Sequence, residues 1–283
     1  MPFFENRSVP GNRRSKCQGG KQMLTNATYL KGLVIRATDG ELGTVDEFYF
    51  DDQTWGIRYL SVNTGSWLNS RNVLIPPVAI VRTDWPARRL DVALTTKQVE
   101  QSPPIDTQKP VSRQHEAAYL GYYGYAPYWG GAFLGGPLPL PAGGTPDSAV
   151  ASRAEAVESA KLESGDSHLR SSEAVSGYYI EATDGEIGHL EGFVVDDETW
   201  AIRYIEVATR NWLPGKKVLI SPSWIERVSW YDSKVRVGVS RETIKDAPKY
   251  VETTPITREY ENRLFATYGR PSYWSQEAEK HPH

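Results

Sequence analysis

The chain has 283 residues and a formal charge of −3, from 32 Lys+Arg against 35 Asp+Glu. At roughly 100–200 residues per domain this length implies about two domains, and 39% hydrophobic with 24% charged residues excludes global disorder. The single cysteine, Cys17, excludes an intrachain disulfide and a cysteine-rich metal site. The near-neutral balance leaves no broad basic face for nucleic acid.

Residues 1–22 read as a disordered lead-in, with Gly, Asn and basic residues (Arg7, Arg13, Arg14, Lys16, Lys21) and without the apolar centre of a signal peptide. Patterned sequence begins just after Met23, an alternative initiator. The longest uncharged stretch, from Ala117 to Asp147, is long enough to cross a membrane. It holds Pro127, Pro137, Pro139 and Pro141 among many glycines, a backbone that cannot satisfy itself in lipid. No membrane span and a cytoplasmic location are therefore expected.

The chain repeats itself at an offset of 145 residues (184 − 39). Ala37-Thr38-Asp39-Gly40-Glu41-Leu42-Gly43 meets Ala182-Thr183-Asp184-Gly185-Glu186-Ile187-Gly188. Asp51-Asp52, Thr54-Trp55 and Ile57-Arg58-Tyr59 meet Asp196-Asp197, Thr199-Trp200 and Ile202-Arg203-Tyr204. The register continues through Trp67/Trp212, Val73/Val218, Pro77/Pro222, Trp85/Trp230 and Arg113/Arg258 to Tyr128-Trp129 and Tyr273-Trp274. So many aligned aromatics mark a duplicated module.

Each copy opens with strand-like text running into Thr-Asp-Gly, a hairpin signal because Gly accepts positive φ and Asp tolerates it. An alternating strand with Leu42, Val45, Phe48 and Phe50 follows, then a polar turn at Asp51-Asp52-Gln53-Thr54 and renewed β propensity from Trp55 to Val62. Shorter strands are expected at 73–75, 79–82 and 90–94, with matches in the second copy. Thr95-Thr96 and Ser240 sit as N-caps of a first helix, Ser112 and Thr257 of a second. Ile256, Tyr260, Leu264 and Tyr268 form an apolar stripe stopped by Gly269, and Val111, His115, Tyr119 and Tyr123 one stopped by Gly124.

The expected fold is mainly β with helical arms: two small antiparallel barrels in tandem, each followed by C-terminal helices, joined by a Gly/Pro-rich linker. The boundaries are lead-in 1–22, first module with its arm 23–129, linker 130–172, second module with its arm 173–274 and tail 275–283.

The recurring Asp51-Asp52 and Asp196-Asp197 pairs could hold a divalent cation, but adjacent carboxylates on a turn ordinarily face water. If Trp55, Ile57 and Tyr59 share a core face, Arg58 points the other way and pairs with an acid such as Glu41 or Asp46, or anchors a partner. Trp55, Trp200, Phe48 and Phe193 are read as packing. Trp67, Trp212, Tyr128-Trp129 and Tyr273-Trp274, beside turns or at arm ends, either clamp the arm to a barrel or form a contact patch. With Arg58 and Arg203 they make up the candidate interaction surface. His115 aligns with Tyr260 and His189 with Thr44, His168 falls in the spacer, and no triad, Walker loop or dinucleotide fingerprint is present. No catalytic residue, metal or cofactor is expected.

Taken as a set, the Thr-Asp-Gly-Glu-(Leu/Ile)-Gly opening, the Asp-Asp-x-Thr-Trp-x-Ile-Arg-Tyr core, the Trp-Leu and Val-Leu-Ile-x-Pro segments and the Pro-(Val/Ile)-(Ser/Thr)-Arg arm resemble the PRC-barrel family, over about 29–129 and 175–274. The resemblance is nearest to stand-alone bacterial tandem proteins labelled reaction-centre H-subunit-like. It implies a six-stranded barrel that acts by binding, without a family-wide catalytic residue. The membrane helix of a true H subunit is missing, and so is the extra barrel of the family's ribosomal RNA-maturation branch.

The expected function is a non-catalytic protein-binding or scaffolding role for a two-module pseudo-dimer, in stress or photosynthesis, with a protein partner or a second copy of the chain. The alternative is an accessory RNA-processing or ribosome-assembly factor, against which the sequence pI near 6.0 argues.

Overall fold

In the hairpin at Thr38-Asp39-Gly40, Ala37 N donates to Gly40 O across 2.7 Å, joining β2 (Val34–Arg36) to the long β3 (Glu41–Asp51). The Asp39 side chain does more than turn the chain. Its Oδ1 accepts from Thr96 N at 2.8 Å, capping α1 (Thr96–Glu100), and Asp184 Oδ1 accepts from Arg241 N at the same distance. Gly43 and Gly188 have φ of 141° and 152°, and a Cβ there would sit 2.0 Å from Asn63 O and 1.9 Å from Ala208 O. Only glycine allows that approach.

The structure, a computed structural model, describes residues 23–68, 71–103, 113–125, 168–209 and 215–275. The described residues form two seven-stranded sheets of one design. In lobe 1, β4 (Ile57–Asn63), β5 (Asn72–Ile75), β6 (Ile80–Asp84) and β7 (Arg89–Val92) complete the order β5-β4-β3-β2-β7-β6. In lobe 2, β9 (Tyr179–Ala182), β10 (Gly185–Asp196), β11 (Ile202–Ala208), β12 (Lys217–Ile220), β13 (Ile225–Ser229) and β14 (Lys234–Val237) repeat it as β12-β11-β10-β9-β14-β13. The expected antiparallel barrels are corrected twice. The β2–β7 and β9–β14 pairs are parallel, so each sheet is mixed. Each sheet also ends at β5 and β6, or β12 and β13, without a ladder closing it.

The seventh strand of each sheet comes from the other half of the chain. β1 (Leu24–Asn26) pairs with β10 of lobe 2, and β8 (Leu169–Ser171) pairs with β3 of lobe 1. Leu24 and Leu169 stand 145 residues apart (169 − 24), so the exchange is reciprocal. This corrects the span 130–172 read as linker: its end is β8, followed by the short helix α3 (Ser172–Val175), with Ser171 as N-cap. Three residues carry too little periodicity to be read as a strand.

A bulge sets the faces of β4. Tyr49 opposes Tyr59 while Phe50 opposes Ile57, leaving Arg58 as the extra residue. Ile57 and Tyr59 therefore turn to opposite sides, contrary to simple alternation from Trp55, and both are buried. Ile57 joins the main core, whereas Tyr59 packs edge-on against Tyr119 of α2 (Arg113–Tyr122), ring centroids 6.1 Å apart. Trp55 and Trp200 take left-handed φ of 55° and 57°. Their carbonyls accept from Ile202 N and Ile57 N, each at 2.8 Å, in a reciprocal contact between lobes. Beside it Phe193 packs 5.5 Å from Phe48 and 5.6 Å from Phe50, so one core runs through both lobes. Each buried phenylalanine contributes about 1.5–3 kcal/mol.

The arms match the cap reading. Thr95 forms a capping box with Gln98, and Ser240 caps α4 (Arg241–Asp246). Thr257 accepts from Tyr260 N at the start of α5 (Arg258–Tyr268), and Gly269 ends it in the left-handed region. Val111, Ser112 and the His115 side chain lie outside the described residues. Among the described residues no helix is long and apolar enough to cross a membrane.

Candidate interaction site

In lobe 2 the matching bulge leaves Arg203 as the extra residue, with Val194 opposing Tyr204 and Val195 opposing Ile202, and the buried Tyr204 reaches α5 with its hydroxyl. Tyr204 OH donates to Glu261 Oε1 at 2.7 Å, and Tyr273 OH donates to the same oxygen at 3.0 Å. Arg258 Nη1, one helical turn back from Glu261, lies 3.0 Å from its Oε2. Glu261 is buried, and three donors make up for the water it loses. Burial, reinforced by the Glu261 carboxylate, pushes the Tyr204 phenol far above its ordinary value. The same causes raise Tyr273 to about 12, with Arg258 opposing.

Arginines brace the aromatic arm end. Arg203 Nη2 and Nε lie 2.9 and 3.1 Å from Asp196 Oδ2, and its guanidinium sits 4.2 Å from the Tyr273 ring centre. Arg258 lies 4.0 Å from the Trp274 ring centre, and Trp274 packs edge-on against Phe265 at 5.2 Å. Such cation–π contacts contribute about 0.5–2 kcal/mol each. Arg203, Tyr273 and Trp274, read separately as surface candidates, are thus brought together. Tyr273 stands between two clefts. One, of about 520 Å³, lies between Thr54-Trp55 of lobe 1 and Arg203, Arg227 and Tyr273 of lobe 2. The other, of about 700 Å³, lies between Tyr29 and Trp85 and the 250–258 segment.

Arg58 is not joined to Glu41 or Asp46 by any salt bridge found among the described residues; its Nη2 donates to Thr54 Oγ1 at 2.8 Å. The Trp67 side chain, Tyr128, Trp129 and Trp212 lie outside the described residues. The acidic pairs do not simply face water. Asp51 and Asp196 are buried and cap their own turns, Asp51 Oδ1 accepting from Gln53 N and Thr54 N at 3.0 and 2.8 Å. The second acid of each pair holds an exchanged strand. Asp52 Oδ2 lies 2.8 Å from Arg170 Nε and its Oδ1 3.1 Å from His168 Nδ1, so His168 belongs to this contact rather than to a spacer. Asp197 accepts from Met23 N at 3.1 Å and Trp85 Nε1 at 3.0 Å.

Sequence reasoning missed Glu261 and its counterpart Glu116, which is also buried. The signal was available: Arg-x-x-Glu recurs at 113–116 and 258–261, on one helix face. It also missed the cluster holding β1, where buried Glu206 accepts from Asn26 Nδ2 at 2.8 Å on Oε2 and forms an ion pair with Lys217, whose Nζ lies 2.8 Å from Oε1. Burial raises the Glu206 carboxyl, against the pull of Lys217.

Residues 26–91 match the PRC-barrel domain family, a span running from the end of β1 into β7. No curated protein matches the chain.

Proposed function

We propose that the chain is a non-catalytic protein-binding scaffold made of two PRC-barrel modules, the second being lobe 2. The observation that carries this reading is the reciprocal exchange of β1 and β8 between sheets of identical strand order. It supports a body with two related faces, on which a partner with two matching sites would gain avidity without new contacts. The clustering of Arg203, Tyr273 and Trp274 at the arm end of module 2 supports the reading, since Arg and large aromatics are the side chains that dominate protein interfaces. The equivalent surface of module 1 would use Arg58 and Tyr128-Trp129.

Deleting one module is a poor test, because each lobe lacks a strand without the other. Trp129→Ala and Trp274→Ala, singly and together in the full chain, test the reading by affinity capture from source cells. Each single variant should weaken retention of one same protein by about a hundredfold, and the pair should abolish it. Capture that survives the double variant, with folding intact, overturns the reading. Capture abolished by ribonuclease and falling steeply with salt would favour the RNA-factor alternative.

A further inference from the structure

Among the described residues β13 has β14 as its only sheet neighbour. Its other edge has no strand beside it among those residues, and Glu226, Arg227 and Val228 of β13 line the 520 Å³ cleft, with Tyr273 and, from lobe 1, Trp55 among the other walls. Such an edge presents a row of backbone donors and acceptors to whatever enters the cleft. At about 3.3 Å per residue, five residues of edge span about 16 Å, the reach of a short extended segment rather than of a compact metabolite.

Charge narrows the choice of segment. The cleft's other ionic side chains are matched: Asp52 by Arg170 at 2.8 Å, Arg203 by Asp196 at 2.9 Å, and Glu226 by Arg236 at 3.3 Å. Arg227 is exposed and has no ion-pair partner among the described residues. Its counterpart in lobe 1, Arg82, has one: Asp84 Oδ2 lies 3.1 Å from Arg82 Nη2, and the position matching Asp84 in lobe 2 is Ser229. The edge of lobe 2 therefore carries an uncompensated positive charge where that of lobe 1 does not.

The geometry points to β13 as the docking edge for an extended, acidic peptide segment of a protein partner. Main-chain hydrogen bonds to β13 supply affinity. An Asp or Glu side chain on Arg227, with an apolar neighbour against Trp55 and Tyr273, supplies selectivity. This deepens the protein-binding reading and rests on it.

The test selects a displayed library of random dodecapeptides on the full chain and on the folded full-length Arg227→Glu variant, checked by its melting transition. Wild type should enrich peptides carrying Asp or Glu among β-branched residues. The best of these, made synthetically, should bind Arg227→Glu about tenfold more weakly, and should slow amide exchange across 225–229. Loss of acidic preference, unchanged affinity in Arg227→Glu, or protection confined to other segments overturns the proposal. So does a concentration-dependent dimer, abolished by Arg227→Glu, which would make a second copy the occupant. The scaffold reading falls separately, through the Trp129 and Trp274 variants, so the two failures are distinguishable.

Discussion

The two lobes share strand order and strand exchange, yet they hold the incoming strand with different chemistry. Beyond the shared Asp52 and Asp197, the carboxylate that anchors the strand in lobe 1 is Glu47 of β3, which takes Ser171 Oγ and, at 3.1 Å, Tyr49 OH. In lobe 2 the matching position is Gly192, and the carboxylate comes instead from Glu206 on the adjacent β11, where lobe 1 has Ser61. The exchange is compensated: a Cβ on Gly192 would lie 3.2 Å from Glu206 Oε2, in the space that carboxylate uses. The duplication keeps the Asp52/Asp197 anchor in place and keeps a further carboxylate at the strand junction, whose supplying strand is free to change.

That comparison breaks most severely if the shared core is not shared. Phe193→Ala removes the ring that meets Phe48 and Phe50 across the lobes, and should destabilise the chain by about 3–5 kcal/mol in urea titration. Because the lobes trade strands and share this core, fluorescence and far-UV dichroism should report one coincident transition, moved as a whole. Two separate transitions, with only one displaced by Phe193→Ala, would show lobes that fold independently and would empty the exchange of energetic meaning.

Much of this architecture was legible in the sequence, and the rest was hidden for identifiable reasons. The repeat, the hairpin at Asp39-Gly40 and the caps at Thr95, Ser240 and Thr257 are local signals, and local signals are what a sequence displays. The parallel β2–β7 pair and the partners of β1 and β8 are long-range pairings that no window of residues encodes. Strict alternation misplaced Ile57 relative to Tyr59 because one inserted residue, Arg58, reverses every face beyond it. Glu261 escaped because a charged residue on a helix reads as solvated until Tyr204, Tyr273 and Arg258 are seen to converge on it. Arg203, Tyr273 and Trp274, which the structure brings together, stand out in the sequence because both copies keep them.

A smaller effect separates the two anchors. Glu206→Leu strips Asn26 and Lys217 of a buried acceptor, and should cost about 2–3 kcal/mol in the same titration. Lys217 retains Glu191, 3.1 Å away, and also Glu252, which holds the figure below that of a fully isolated buried pair. Glu47→Ala in lobe 1 should cost below about 1 kcal/mol, because its site is half-exposed. Equal losses at the two positions would mean that the anchors differ in sequence but not in energetic weight.

The smallest expected effect is alkaline. Tyr250 packs beside the lobe 2 anchor, with Asn26 Nδ2 3.1 Å from its hydroxyl, and the matching position in lobe 1 is Ile105, although Tyr49 stands on the lobe 1 anchor and burial with Glu47 raises its phenol too. Burial, with Glu206 and Glu252 adding, pushes the Tyr250 phenol from 10 up to about 12, against the opposing hydrogen bond from Asn26. A folded-state value above the unfolded one means that the folded chain holds the proton more tightly. The contribution is therefore complete below pH 10 and is lost as pH rises through about 12. Urea midpoints should fall over that window, and Tyr250→Phe, which has no proton to lose, should make the fall shallower by one phenol's share, the raised phenols of Tyr273, Tyr204 and Tyr49 supplying the rest, while leaving the neutral-pH midpoint nearly unchanged. A slope identical in wild type and Tyr250→Phe would place the alkaline weakness elsewhere, away from the junction at which β1 enters lobe 2.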